Sequence, residues 1–153
     1  MPAIAEKILA NLIPKKATPF HQLEKYTHQK LAIKLKELGC GCYNAKSRTI
    51  FELVNSKLNL STCEIHELEK IYGIGRKTSR GFVLHSRSNA QCSVLDTHIL
   101  KFLKENDVPD VPKSTPSSKL EYERLEKNFL TICRKRKIAP AKLDLKVWSS
   151  YTK

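Results

Sequence analysis

Two groups in the sequence are of a type that could do covalent chemistry together: the side-chain amine of Lys77 and the carboxylate of Asp96. An amine attacks an electrophilic carbon only when unprotonated, and an exposed lysine is almost fully protonated at neutral pH. Lys77 therefore needs a setting that disfavours one more positive charge. The stretch Leu68-Glu69-Lys70-Ile71-Tyr72-Gly73-Ile74-Gly75-Arg76-Lys77-Thr78-Ser79 offers one, because an apolar helix end runs into a Gly-x-Gly turn and a second helix begins at once. The free amides at that helix start carry partial positive charge, Arg76 adds a full one, and partial burial would act in the same direction. Downstream, Ser93-Val94-Leu95-Asp96-Thr97-His98-Ile99-Leu100 leads an apolar pair into an aspartate at a helix start. On the residues alone Asp96 is equally an ordinary N-cap, and the two roles are compatible because a capping carboxylate can still face a cleft.

The turn is also suited to a phosphate. Gly73 and Gly75 allow positive backbone angles and the close approach of another backbone, while amides at the second helix start point outward. Arg76, Lys77 and Arg80 add cations, so affinity for a polyanion should depend on salt through counterion release. Gly-Ile-Gly also serves as a plain interhelix turn, although that use does not call for basic residues directly after the second glycine. A dinucleotide fingerprint is a weaker reading still, since the third glycine is absent and the segment before the turn reads as helix rather than strand.

Composition agrees with a polyanionic partner. Among 153 residues, 28 Lys plus Arg face 15 Asp plus Glu, a formal charge of +13. With 41% hydrophobic and 28% charged residues the chain has the makings of a packed core, and its length suits a single domain, 1–153, or two small lobes sharing a core. No apolar run approaches the roughly 20 residues of a membrane span, and no secretory signal is present. Cys40, Cys42, Cys63, Cys92 and Cys133 are an odd set without metal-ligand spacing, expected as reduced thiols in a cytoplasmic (nucleoid-associated) or nuclear setting. Cys40-Gly41-Cys42 lacks a second half-site, and His21, His28, His66 and His85 form no zinc spacing. No metal and no cofactor are expected.

Positioning these groups falls to helices. Apolar residues recur at helical spacing, as in Leu31, Leu35 and Leu38, or Leu125, Phe129, Ile132 and Cys133, and alternating strand patterns are scarce. The expectation is an all-α chain with helices near 3–13, 20–38, 45–58, 62–71, 76–87, 97–105, 118–137 and 143–151. Pro14 and Pro19 separate the first two, Ser61 with Glu64 suggests a capping box before the fourth, and Phe82 with Val83 take core spacing on the fifth. Residues 106–118, carrying Pro109, Pro112 and Pro116, predict an ordered crossover loop ahead of the C-terminal helices 118–153. The hairpin itself should occupy 62–87, and 1–30 carries no motif.

The span from Leu68 to Leu103, with Gly-Ile-Gly-Arg-Lys-Thr and Leu-Asp-Thr-His-Ile, resembles the helix-hairpin-helix DNA glycosylase superfamily that includes endonuclease III. Pro112-Lys113-Ser114, a long charged helix and Leu143-Asp144-Leu145-Lys146-Val147-Trp148 resemble, within it, the small archaeal-type 8-oxoguanine DNA glycosylases. The resemblance implies that Lys77 and Asp96 are catalytic, that Lys77 marks the type that both removes a base and nicks the strand, and that the partner is duplex DNA bearing a damaged base or an abasic site, met by a monomer. It also implies no iron-sulfur cluster, since the four cysteines that hold one in endonuclease III relatives are missing. Thr78-Ser79 and Thr97 depart from the archaeal pattern toward that of endonuclease III, which leaves open an abasic-site lyase or an enzyme for oxidised pyrimidines. A noncatalytic helix-hairpin-helix module would explain the charge and hairpin but not the pairing of Lys77 with Asp96.

The remaining candidates are of two kinds. For DNA contact, Gly73, Ile74, Gly75, Arg76, Thr78 and Arg80 of the hairpin join Tyr43, Asn44 and Lys46 in an expected polar loop that continues to Arg48. For the base pocket, Trp148 would face an extruded base, with Lys153 and His98 beside it. By residue type alone, Trp148 is a core side chain and His98 a satisfied structural histidine.

Overall fold

The computed structural model describes residues 2–13 and 18–151, so Pro14 and Lys153 lie outside the described residues. The described chain is all-helical and divides into two compact units, residues 1–74 and 75–153, with the dividing point inside the Gly73-Ile74-Gly75 turn. Among the described residues no helix is long and apolar enough to cross a membrane.

The first unit contains α1 (Pro2–Leu12), α2 (Pro19–Leu23), α3 (His28–Glu37), α4 (Tyr43–Asn55) and the short α5 (Ile65–Leu68). The periodicity that predicts one helix over 20–38 is broken in the structure. Thr27 takes an extended backbone and accepts a hydrogen bond from the Lys30 amide at 3.3 Å, capping α3 and separating it from α2. Leu31 and Leu35 then bury their side chains with Leu12 and Cys40. At the far end of α3, Gly39 adopts φ +76°, and the Cys40 and Gly39 amides donate back to Leu35 and Lys36, a Schellman closure that turns the chain into α4. The fourth helix expected over 62–71 shrinks to one turn, and its capping box is formed by Glu64 and Glu67, not Ser61 and Glu64. Ser61 instead lies in a turn, its amide held by the Asn59 side chain at 3.1 Å.

The second unit contains α6 (Arg76–Ser86), α7 (Thr97–Glu105), α8 (Lys119–Lys135) and α9 (Pro140–Tyr151). Leu95, Ile99, Leu100, Leu103, Tyr122, Leu125 and Phe129 form the centre of its core, so the apolar stripe of α8 is used as its spacing predicts. On α6 the buried face is Ser79, Arg80, Val83 and Leu84. Phe82 falls outside that arc and is exposed, against the sequence expectation for it. Residues 106–118 form the expected crossover loop, tied down by Arg124, whose guanidinium donates to the Pro109 and Asp110 carbonyls at 3.0 and 2.8 Å.

Candidate active site

Both candidate chemical groups belong to the second unit, and each stands at a helix start. Gly75 caps α6 with no side chain, which places Arg76 and Lys77 at its first two positions. Lys77 is exposed, not partly buried as expected, because residues at this point of the turn project away from the packed Ser79 and Arg80 face. Asp96 caps α7, its Oδ1 accepting from the His98 and Ile99 amides at 2.9 Å each.

The strand-like segment 92–96 that delivers Asp96 is anchored along its length. Glu126 Oε1 of α8 accepts from the Ser93 amide and from Arg80 Nε, both at 2.9 Å. The Tyr122 hydroxyl donates to the Ser93 carbonyl at 2.9 Å and accepts from the Leu95 amide at 3.1 Å. Thr115 donates to the Leu95 carbonyl at 2.7 Å. Burial pushes the Tyr122 phenol up to about 12, so it remains a neutral donor at any pH the protein meets. Tyr122→Phe should therefore cost about 1 to 3 kcal/mol in chemical denaturation, since it strands a buried amide and a buried carbonyl at once.

Lys77, Gly81 and His85 follow one another at spacings of four and so share one row along α6. The row packs against two other elements of the unit. A β-carbon on Gly81 would lie 3.7 Å from Val94 Cγ2, in ordinary contact, so the middle of the row rests on the residue two before Asp96. One turn further on, His85 Nε2 is hydrogen-bonded to Asp144 Oδ2 of α9 at 3.0 Å. Burial pushes the Asp144 carboxyl above its ordinary value, the His85 hydrogen bond opposes this, and the charge of Asp96 raises it further. Neither His85 nor Asp144 was singled out from residue types. The available signal was an acid between Leu143 and Val147 on the buried stripe of α9, where an ionisable group needs a partner.

Asp144, Trp148 and Tyr151 continue along one side of α9. Trp148 is 52% exposed, against the core placement that its residue type alone suggests. His98 stacks on Tyr151 with ring centroids 5.7 Å apart, and Tyr151 hydrogen-bonds Glu105. Lys101 lies over the same ring at 4.4 Å, so His98 belongs to a structured aromatic cluster beside the start of α7.

The polar residues of the hairpin separate into two kinds. Thr78 is exposed and Arg76 half-buried, its guanidinium donating to the Ser117 carbonyl at 2.7 Å. Arg80, expected at the DNA, instead lies in the interior at 7% exposure, ion-paired with Glu126 and 4.6 Å over the Tyr122 ring, and serves packing rather than an external phosphate. Gly75 has an extended backbone with open space where a side chain would be, whereas Gly73 takes φ +78°. Only Gly73 needs the left-handed freedom predicted for both. Ile74 is half-buried, its amide donating to Ile71 at 3.1 Å.

In the first unit, Tyr43, Asn44 and Lys46 are not in a loop but on the opening turns of α4, entered through Cys42 at φ 53°. Asn44 and Lys46 are exposed and Tyr43 half-buried, with Lys36 lying 5.6 Å over its ring. Tyr43 and Asn44 line part of a cavity of about 350 Å³ together with His28, Ile33 and Lys36.

A family model described as 8-oxoguanine DNA glycosylase matches residues 7–138, a span that includes Lys77 and Asp96 and stops short of α9. Among solved structures, the 8-oxoguanine DNA glycosylase of Thermotoga maritima superposes with a TM-score of 0.76 at 21% identity, covering 99% of this chain and 72% of its own. The 8-oxoguanine glycosylase/lyase of Methanocaldococcus jannaschii, in complex with 15mer DNA containing 8-oxoguanine, gives the same TM-score and identity, with 99% and 73% covered. Another structure of the 8-oxoguanine DNA glycosylase of Methanocaldococcus jannaschii gives a TM-score of 0.67 at 21% identity, covering 99% and 79%. At such identity the superpositions establish a shared fold. No curated protein matches the chain.

Proposed function

The chain belongs to the 8-oxoguanine DNA glycosylase family and is a DNA-repair enzyme of that class, and from this premise we propose that it excises 8-oxoguanine from duplex DNA with Lys77 as nucleophile and Asp96 as its charged partner. The observation that supports the assignment is that Lys77 and Asp96 stand at the starts of α6 and α7 of one unit, with the Lys77 row resting on Val94, two residues before Asp96.

The target nucleotide first leaves the stack, at a cost of a few kcal/mol that backbone contacts offset. The unprotonated amine of Lys77 then attacks the sugar C1′, and the bond from C1′ to the base breaks as the base departs with the electron pair. Positive charge that develops on the sugar is stabilised by the Asp96 carboxylate. Ring opening gives a Schiff base between Lys77 and C1′. Loss of a proton from C2′ then expels the 3′ phosphate by β-elimination, nicking the strand, and water releases the enzyme. Lys77 is exposed where it can meet an extruded nucleotide, and it is the DNA closing over the amine that supplies the desolvation favouring its unprotonated form. The ring of Trp148 offers a face for the base, and Gly73, Gly75, Arg76 and Thr78 contact the DNA backbone. The enzyme acts as a monomer, in the cytoplasm or the nucleus.

The test is borohydride trapping, which reduces the Schiff base to a stable amine, on duplexes bearing 8-oxoguanine, thymine glycol or an abasic site. Adduct on the 8-oxoguanine duplex is expected. Adduct on the thymine glycol duplex alone would move the substrate to oxidised pyrimidines, and adduct on the abasic duplex alone would leave only a lyase. Complete absence of adduct would reduce the protein to a binding module.

A further inference from the structure

The turn that leads into α6 is held by a group of α4 side chains that the reaction does not use. Glu52 accepts with both carboxylate oxygens: Oε1 from Arg48 Nε at 2.8 Å and Oε2 from the Tyr72 backbone amide at 2.9 Å. The same Arg48 lays its guanidinium over the Tyr72 ring, 3.9 Å from the centroid. Directly after Tyr72 comes Gly73 at φ +78°, and a β-carbon there would collide with the Thr49 hydroxyl, itself bonded to the Ala45 carbonyl at 3.0 Å. Three residues of one α4 face therefore grip two consecutive residues of the hairpin turn. Arg48 and the Tyr72 amide hold the Glu52 carboxyl below its ordinary value, with His28 adding to the effect.

We propose that Arg48, Thr49 and Glu52 are positioning residues that brace the Tyr72-Gly73 turn in the shape in which the hairpin takes up a DNA phosphate. The inference rests on the hairpin being the DNA contact. A basic residue on the first turns of α4 would otherwise pass for a phosphate ligand, and the arrangement assigns Arg48 differently, since its Nε is spent on Glu52 and its plane on Tyr72. An acid on a DNA-binding surface is also out of place on electrostatic grounds, as it repels phosphate. It is accounted for when its two oxygens are the joint between α4 and the turn.

Glu52→Gln gives opposite outcomes under the two views. The amide has one acceptor oxygen where the carboxylate has two, so it cannot serve Arg48 and the Tyr72 amide together. Removing a negative charge from a basic protein should by itself tighten binding to undamaged duplex. The brace instead predicts binding weakened about fivefold to tenfold by fluorescence anisotropy, the loss expected of one net hydrogen bond. Amide exchange at Tyr72 should speed up in parallel. The single-turnover nicking rate at saturating DNA should stay within about twofold of wild type, because the brace touches no reacting atom. Arg48→Lys, which keeps the charge but not the fork or the stacking plane, should reproduce the weakening. Equal or tighter binding by both variants overturns the brace. Gly73→Ala separates that failure from a failure of the hairpin assignment: weakened binding there alone rejects the brace only, whereas unchanged binding removes the hairpin as the DNA contact and the brace with it.

Discussion

Lys77→Ala is expected to yield no borohydride-trapped adduct on any duplex and to lower single-turnover nicking by at least about a thousandfold, the scale on which a covalent nucleophile contributes. The substitution is unusually clean. Lys77 is exposed at the second position of α6, where alanine has the best helix propensity of any residue, so melting temperature should not fall. Affinity for undamaged duplex should weaken only slightly, since one cation among 28 Lys plus Arg is lost and the hairpin backbone is untouched. The combination is what distinguishes a nucleophile from a phosphate contact: covalent capture lost, binding and stability retained. Loss of adduct accompanied by an equal loss of affinity would assign Lys77 to DNA binding instead, and full retention of trapping would place the Schiff base on another lysine.

Asp96→Asn comes next in size, with an expected loss of about a hundredfold to a thousandfold in base excision measured under single turnover. Asparagine keeps an oxygen where Asp96 Oδ1 accepts from the His98 and Ile99 amides, so the N-cap of α7 survives while the charge disappears. Asp96→Ala removes both, and should add a stability loss of about 1 kcal/mol to the same loss of rate. The difference between the two variants therefore isolates the capping role, and their common effect isolates the charge. Because the Asp96 charge raises the Asp144 carboxyl, both variants should also let that carboxyl titrate at lower pH, a shift that carbon-detected NMR of the Asp144 side chain would register. A normal excision rate in Asp96→Asn would leave Asp96 a cap and nothing more.

Several features were legible before any coordinates because they are decided within a few residues of chain. The helical periodicity of α8, the crossover loop at 106–118, the glycine needed at Gly73 and the aspartate that begins α7 all follow from local backbone geometry and side-chain reach. One misplaced element has a local cause that spacing hides. Helix 20–38 is interrupted because Thr27 offers its hydroxyl to the Lys30 amide in competition with the helix, a choice that apolar spacing does not record.

Longer-range outcomes were set by packing alone. Arg80 stands among basic residues and looks like one more phosphate ligand, yet its guanidinium is drawn inward by Glu126, a residue far along the chain on α8. His85 and Asp144 meet only because α6 and α9 lie side by side, and Trp148 is left exposed by the same docking that buries Leu143 and Val147. By itself the sequence determined the helical class, the hairpin, its charge and the two candidate groups of the chemistry, since residue type and spacing act through neighbouring backbone. Which cations reach the surface, which carboxyl meets a histidine and which face of α6 is buried were decided by tertiary structure, because Coulombic and hydrogen-bonding partners are chosen by distance in space rather than along the chain.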